Sequence, residues 1–173
     1  MFNNLTLRKP NQTDYNNLLA WENNIKNTIY TDQPVFHTKD QIQKFLNSNH
    51  DLFLNNQIKF IIQNEDSALG CIDLFDFDIV NSRAGVGIFI DEEYRNKGIA
   101  FKAINLLKIM SKDEYLINQL YTNIKSTNQK SIKVFEKSGF IRNGVKENWI
   151  RNENSFVDVF FYQIPLNKNN KVI

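Results

Sequence analysis

Arg95-Asn96-Lys97-Gly98-Ile99-Ala100 is the stretch that decides how this chain is read. The apolar run Val86-Gly87-Ile88-Phe89-Ile90 precedes it, and an amphipathic segment from Gly98 to Lys112 follows it. The order is a strand, a small turn that exposes backbone, and a helix. The first N–H groups of a helix lack intrahelical acceptors and sit at the positive end of its dipole, so this junction suits a pyrophosphate. A P-loop is excluded, because no Gly-Lys-Ser/Thr follows. A Rossmann fingerprint is absent too, since Gly85-Val86-Gly87 lies inside the strand and not at its end.

Working outward, Leu5 to Lys9 alternates and is stopped by Pro10, which predicts a strand. Asn11 or Thr13 caps a helix carrying Tyr15, Leu18, Leu19 and Trp21. Residues 28–34 read as loop. Thr38 caps a second helix with Ile42, Phe45 and Leu46. Strands are expected over Ile58–Gln63, Ala68–Phe77 and Ala84–Ile90, with turns at Asn64-Glu65-Asp66-Ser67 and Asn81-Ser82. In the helix after Gly98, the residues Ile99, Ala103, Leu106, Leu107 and Met110 share a face. Leu120–Lys125 is a strand. Thr127 or Asn128 opens a helix that ends at Ser138, with Gly139 at its C′ position. Phe140–Val145 and Ser155–Ile164 complete the strands. No linker or repeat interrupts the pattern, which by itself is that of a single α+β or α/β domain over residues 1–166 with a tail at 167–173.

Composition narrows the function. The chain has 173 residues, 42% hydrophobic and 23% charged, ordinary values for a soluble globular protein with one core. A net charge of +2 is too small to argue for nucleic acid or an anionic membrane, and neither is expected as partner. No apolar run approaches the ~20 residues that span a bilayer. Cys71 stands alone, and Met1-Phe2-Asn3-Asn4 lacks the basic and apolar regions of a signal peptide, so the expected location is cytoplasmic. His37 and His50 form no metal-like cluster with Cys71, and no metal is expected. Trp21 and Trp149 read as core or rim aromatics.

A second block follows downstream, Asn128-Gln129-Lys130-Ser131-Ile132-Lys133-Val134-Phe135-Glu136-Lys137-Ser138-Gly139-Phe140. Together with Arg95, Gly98 and Ala100 it resembles the GCN5-related N-acetyltransferase (GNAT) superfamily. That family's pyrophosphate loop has the form Arg/Gln-x-x-Gly-x-Gly/Ala, and its later block joins Asn and Ser to a helix ending in Gly-Phe. The order of elements agrees from Leu5 to Ile164. Leu7-Arg8-Lys9-Pro10 and Asp91-Glu92-Glu93-Tyr94-Arg95 are similar to the branch holding ribosomal-protein and bacterial spermidine N-acetyltransferases.

The resemblance implies a GNAT-like fold, a twisted and mostly antiparallel sheet flanked by helices around a central strand–helix–strand unit. It implies acetyl-CoA as cosubstrate. The two strands around Val86–Ile90 and Leu120–Lys125 would splay, and backbone near Ile88, Phe89 and Ile90 would bind the pantetheine arm as an added strand does. The N–H groups of Arg95, Asn96, Lys97, Gly98, Ile99 and Ala100 would hold the pyrophosphate, with Asn128 and Ser131 against the cofactor arm. Asn128, Ser131 and Phe135 share a helix face, so capping by Asn128 and core burial of Phe135 is the competing structural reading.

Two positions depart from the family. Phe135 stands where many relatives carry a tyrosine, the proposed general acid for the departing thiolate, and phenylalanine cannot donate a proton. A CoA thiol with a pKa of about 8.5 leaves tolerably as an anion, and water or Ser131 can substitute. Ala84-Gly85-Val86-Gly87 has glycines where relatives often have a glutamate. An alkylammonium with a pKa of about 10.4 needs some base at pH 7, at a cost on the order of 4–5 kcal/mol.

Asp73-Leu74-Phe75-Asp76-Phe77-Asp78 carries three acids. Strand alternation puts Asp76 and Asp78 on one face and Asp73 on the other unless a bulge intervenes. Solvated edge residues are one reading of them. An anionic wall that attracts a cationic amine is the other. Asp32 falls near where spermidine acetyltransferases place amine-binding acids. The expected activity is direct acetyl transfer to a primary amine in a ternary complex. A small cationic, polyamine-like acceptor, held by Asp32, Asp73 and Asp76, is favoured over a protein N-terminus or lysine. Dimers are common among relatives, so a homodimer is one assembly the resemblance allows, although the sequence carries no interface signature. A non-catalytic acetyl-CoA sensor is the alternative.

Overall fold

The computed structural model describes residues 2, 4–24 and 36–167. Its elements run β1 (Leu5–Arg8), a 3-10 helix (Gln12–Asp14), α1 (Tyr15–Glu22), α2 (Lys39–Leu46), α3 (Leu52–Asn55), β2 (Ile58–Asn64), β3 (Ser67–Asp78) and β4 (Arg83–Ile90). A second 3-10 helix (Glu92–Tyr94), α4 (Ile99–Asp113), β5 (Gln119–Lys125), α5 (Gln129–Lys137), β6 (Ile141–Asn152) and β7 (Ser155–Pro165) complete them. The strands form one seven-stranded sheet in the order β1-β2-β3-β4-β5-β7-β6. Every neighbouring pair is antiparallel except β4 and β5, which α4 connects in parallel.

Local chemistry sets the helix starts. Asn11 and Asp14 form a capping box, as do Thr38 and Gln41, so the first N–H groups of both segments find acceptors. Asp14 is also buried and held bidentately by Arg8, which locks the end of β1 to the chain that enters α1.

Alternation along the strands then divides the core in two. Phe60, Ile62, Ile72, Leu74, Val86 and Leu120 point to one face and pack with Ile104 and Leu107 of α4 and Phe135 of α5. Ile61 and Cys71 point to the other and meet Leu18 and Trp21 of α1 and Ile42 and Leu46 of α2.

The buried stripe of α4 is Ile99, Ala103, Ile104, Leu107 and Ser111. It is rotated from the sequence expectation, because Leu106 and Met110 lie at the rim and are only half-buried. β6 continues to Asn152 and not only to Val145. Its pairing with β7 shifts register between Arg142 and Gly144 and again between Lys146 and Ile150. The polar run Lys146-Glu147-Asn148 on this edge strand carries no apolar alternation to betray it. The short α3 was also absent from the sequence reading, although Asp51 caps it through Phe53 and Leu54.

Candidate active site

The parallel pair at the centre is short. β4 and β5 pair only through Arg83–Gln119, Ala84–Leu120 and Gly85–Tyr121. Past Gly85, β4 stays with β3 as far as Gly70–Ile90, while β5 stays with β7 as far as Lys125–Val159. The two strands therefore fork. The β4 edge at Ile88, Phe89 and Ile90 faces the gap without a strand neighbour, which is the geometry an extended ligand completes by strand addition.

At the end of β4 the chain enters the short helix Glu92–Tyr94, whose cap is Asp91. Asn96 (φ 61°) and Gly98 (φ 77°) are both left-handed and turn the backbone into α4. No side chain caps α4, and its first internal bond is from the Lys102 N–H to the Gly98 carbonyl, at 3.3 Å. The N–H groups of Ile99, Ala100 and Phe101 precede that bond and lie at the positive end of a 15-residue helix. A methyl at Gly98 would meet nothing within 4 Å, so the space over this helix start is open. These features fit a pyrophosphate.

The loop side chains brace the turn. Arg95 donates from Nε to the Ile90 carbonyl at 2.8 Å and lays its guanidinium over Phe89. The Lys97 ammonium rests over Tyr94 and Phe2. The Trp21 indole N–H donates to Asp91 Oδ2 at 2.6 Å, tying α1 to the loop. The Arg95 and Lys97 side chains are thus engaged along the turn, and Trp21 is a site-supporting residue that the sequence reading placed among core or rim aromatics.

Across the fork, Asn128 Oδ1 accepts the Ser131 N–H at 3.1 Å and caps α5. Gly139 closes the same helix at φ 92°. Phe135 is 2% exposed and meets Phe140 edge to face at 5.0 Å. Asn128 thus serves as a cap and Phe135 as a core residue, while Ser131 is half-buried.

The acids gather on the α1 and α2 side of the sheet. β3 has a bulge here: Phe75 pairs with Gly85 but Asp78 pairs with Arg83, which leaves one residue too many on β3. Asp76 adopts φ 48°. Leu74 and Phe77 both reach the core, so Asp73, Asp76 and Asp78 share the opposite face, where strict alternation had separated Asp73. Asp76, Asp78, Arg83, Tyr121 and Phe161 line a cavity of about 340 Å³. The Tyr121 hydroxyl donates to Asp76 Oδ2 at 3.4 Å, and burial together with that carboxylate raises the phenol above its ordinary pKa. Asp78 is held below the usual carboxylate range by hydrogen bonds from Asn81 and by Arg83. Asp32 lies outside the described residues.

The two glycines of β4 have neighbours in their place. A methyl at Gly85 would come within 2.4 Å of the Phe75 ring. A methyl at Gly87 would sit 3.4 Å from Asp73 Oδ2. Asp73 is itself part of a polar cluster, in which Lys59 Nζ lies 2.9 Å from Asp73 Oδ1, 3.1 Å from Glu22 Oε1 and 3.8 Å from Cys71 Sγ. Burial works against the Lys59 charge, but Asp73, Cys71 and Glu22 outweigh it and hold the ammonium well above its ordinary pKa. Burial lifts the Asp73 carboxyl above the ordinary range against the pull of Lys59. Burial also pushes the Cys71 thiol up to about 12. Lys59, Glu22 and Tyr121 were missed from sequence because nothing local marks which strands meet.

Among the described residues no group of three or more His, Cys, Asp or Glu side chains is placed to hold a metal. His50 packs edge to face on Phe45, and burial followed by Lys9 lowers its pKa. No described helix is long and apolar enough to cross a membrane.

The model of the acetyltransferase (GNAT) domain matches residues 4–141, and the chain belongs to this family of acetyl-CoA-dependent N-acetyltransferases. It is 23% identical over 163 residues to the N-acetyltransferase p20 of Bacillus licheniformis, covering 92% of each chain. It is 23% identical over 146 residues to the spermidine N(1)-acetyltransferase of Vibrio cholerae, covering 83% of each. The fold superposes on the Vibrio cholerae spermidine N-acetyltransferase solved with CoA and spermine at a TM-score of 0.85, with 21% identity over 94% of this chain and 96% of the other.

Proposed function

We propose that this protein acetylates a primary amine on a small cationic, polyamine-like molecule, by direct transfer from acetyl-CoA in a ternary complex. The carrying observation is the fork. One strand edge lacks a neighbour, an uncapped helix start lies at its end, and three carboxylates line the face beside it. On this reading the N–H groups of Arg95 to Ala100 hold the pyrophosphate, and backbone at Ile88, Phe89 and Ile90 holds the pantetheine arm. Asn128 keeps α5 in place with Ser131 against that arm.

Positioning of donor and amine supplies most of the rate, with backbone donors polarising the thioester carbonyl. Asp73 and Asp76 attract the ammonium, with Asp32 as a further candidate. The name and bound spermine of the Vibrio cholerae relatives support this acceptor class. Residues 1–166 act as one cytoplasmic unit, and a homodimer is one assembly the resemblance allows, measurable by sedimentation velocity.

The test is thiol release from acetyl-CoA with spermidine, spermine, putrescine, aminoglycosides, amino acids and short peptides. Turnover is expected with polyamines first. Tight acetyl-CoA binding by calorimetry with no turnover on any amine identifies a sensor instead, and absence of binding overturns both.

A further inference from the structure

The glycine pair on β4 leaves the chain without an acid on the strand that borders the fork, yet the space above Gly87 is not empty. Resting on the acetyl-transfer reading above, we propose that Asp73, reaching across from β3, is the general base that takes the proton from the incoming ammonium.

Three observations carry this. First, Gly87 lies two residues beyond the last β4–β5 pair, Gly85–Tyr121, so it stands at the mouth of the fork. Asp73 pairs with Gly87 and aims Oδ2 over it, 3.4 Å from where a side chain of residue 87 would begin. A carboxylate is thus delivered to the place a β4 side chain would occupy.

Second, the group is oriented. Lys59 on β2 grips Oδ1 at 2.9 Å and is itself held by Glu22 of α1 at 3.1 Å, which leaves Oδ2 as the oxygen turned to the fork. Oδ1 is sealed from solvent while the side chain as a whole is 31% exposed, so the carboxylate is reachable from one side.

Third, the surroundings suit a base. Among the described residues, the charged or titratable groups that act on Asp73 are Lys59, Glu22 and the Cys71 thiol on its own strand. On β4 it stands over Gly87, beside the Phe75 ring. Burial makes the carboxylate a stronger proton acceptor than a free one, while Lys59 pulls the other way and favours its ionised form.

The step balances. The ammonium gives one proton to Asp73 Oδ2, and the neutral amine attacks the thioester carbonyl. The C–N bond forms as the C–S bond breaks. The second nitrogen proton goes to the departing sulfur, giving the thiol and the amide. Asp73 then returns its proton to water, and one proton is released overall.

The experiment measures steady-state rates for wild type, Asp73→Asn, Asp73→Glu and Lys59→Met. Acetyl-CoA and spermidine are the substrates, and acetyl-CoA binding is read by calorimetry. Asp73→Asn is expected to lower kcat by about a hundredfold to a thousandfold with acetyl-CoA affinity unchanged, and to lose the acidic limb of the pH profile. Asp73→Glu should keep that limb at a reduced rate. Lys59→Met should move it to higher pH, since the ammonium that favours the carboxylate is gone.

If Asp73→Asn does not fold, the other two variants still decide: loss of the limb in Asp73→Glu, or a limb that Lys59→Met leaves unmoved, overturns the proposal. Asp73→Asn turning over within about threefold of wild type with its limb intact also overturns it, and leaves acetyl transfer standing. A wild type that binds acetyl-CoA but acetylates no amine overturns the transfer reading and this proposal together.

Discussion

A methyl group at residue 98 would touch nothing, yet Gly98 stands at φ 77°, where an L side chain is disfavoured by roughly 1–2 kcal/mol. Gly98→Ala is therefore expected to lower stability by about 1 kcal/mol in chemical denaturation and to raise the KM for acetyl-CoA as the helix start shifts. Gly85 is constrained by space instead, with the Phe75 ring 2.4 Å from the added carbon. Gly85→Ala should cost about 1–3 kcal/mol, read by thermal unfolding, and a second change Phe75→Leu should recover part of it. Phe135 poses a third case. Its burial against Phe140 leaves a new hydroxyl without a described partner, so Phe135→Tyr should lower stability by about 1–3 kcal/mol and leave turnover unchanged. A rise in turnover would show that the hydroxyl reaches the thiol.

Elements built on local signals were legible in the sequence. The junction of β4, loop and α4 was marked by an apolar run, a glycine and a helical stripe. The caps Asn11, Thr38 and Asn128 follow from side-chain chemistry within three residues. What depends on partners distant in sequence was not legible. The β3 bulge is defined only against β4, the Lys59 cluster only by the packing of β2, β3 and α1, and the second half of β6 only by β7. One distant contact bears on the cofactor loop directly. Trp21→Phe removes the indole donor to Asp91 at 2.6 Å, so acetyl-CoA KM should rise several-fold while kcat changes little, in steady-state assays with acetyl-CoA varied.

For the whole molecule, alkali is the revealing perturbation. Burial pushes the Cys71 thiol from its ordinary 9.0 up to about 12 in the fold. Between those values the folded state holds the extra proton, so stability is full below the unfolded value and falls as pH rises through the window, by about 1.4 kcal/mol per pH unit. Lys59, raised in the fold, adds loss of the same sign at higher pH. Denaturation across that range should show the decline, and Cys71→Ala should flatten its first part whatever its effect at neutral pH.

The β3 bulge has a bearing on insertion and deletion. Asp76 is the supernumerary residue: with it removed, Phe75 still faces Gly85, Phe77 still points inward and Asp78 still meets Arg83. The sheet can lose residue 76 without changing the phase of either strand, and would shed a left-handed aspartate in doing so. What disappears is the carboxylate beside Tyr121 in the acid-lined cavity. A chain shortened by that single codon should keep its fold and its hold on acetyl-CoA, and differ from its parent chiefly in which amines it accepts.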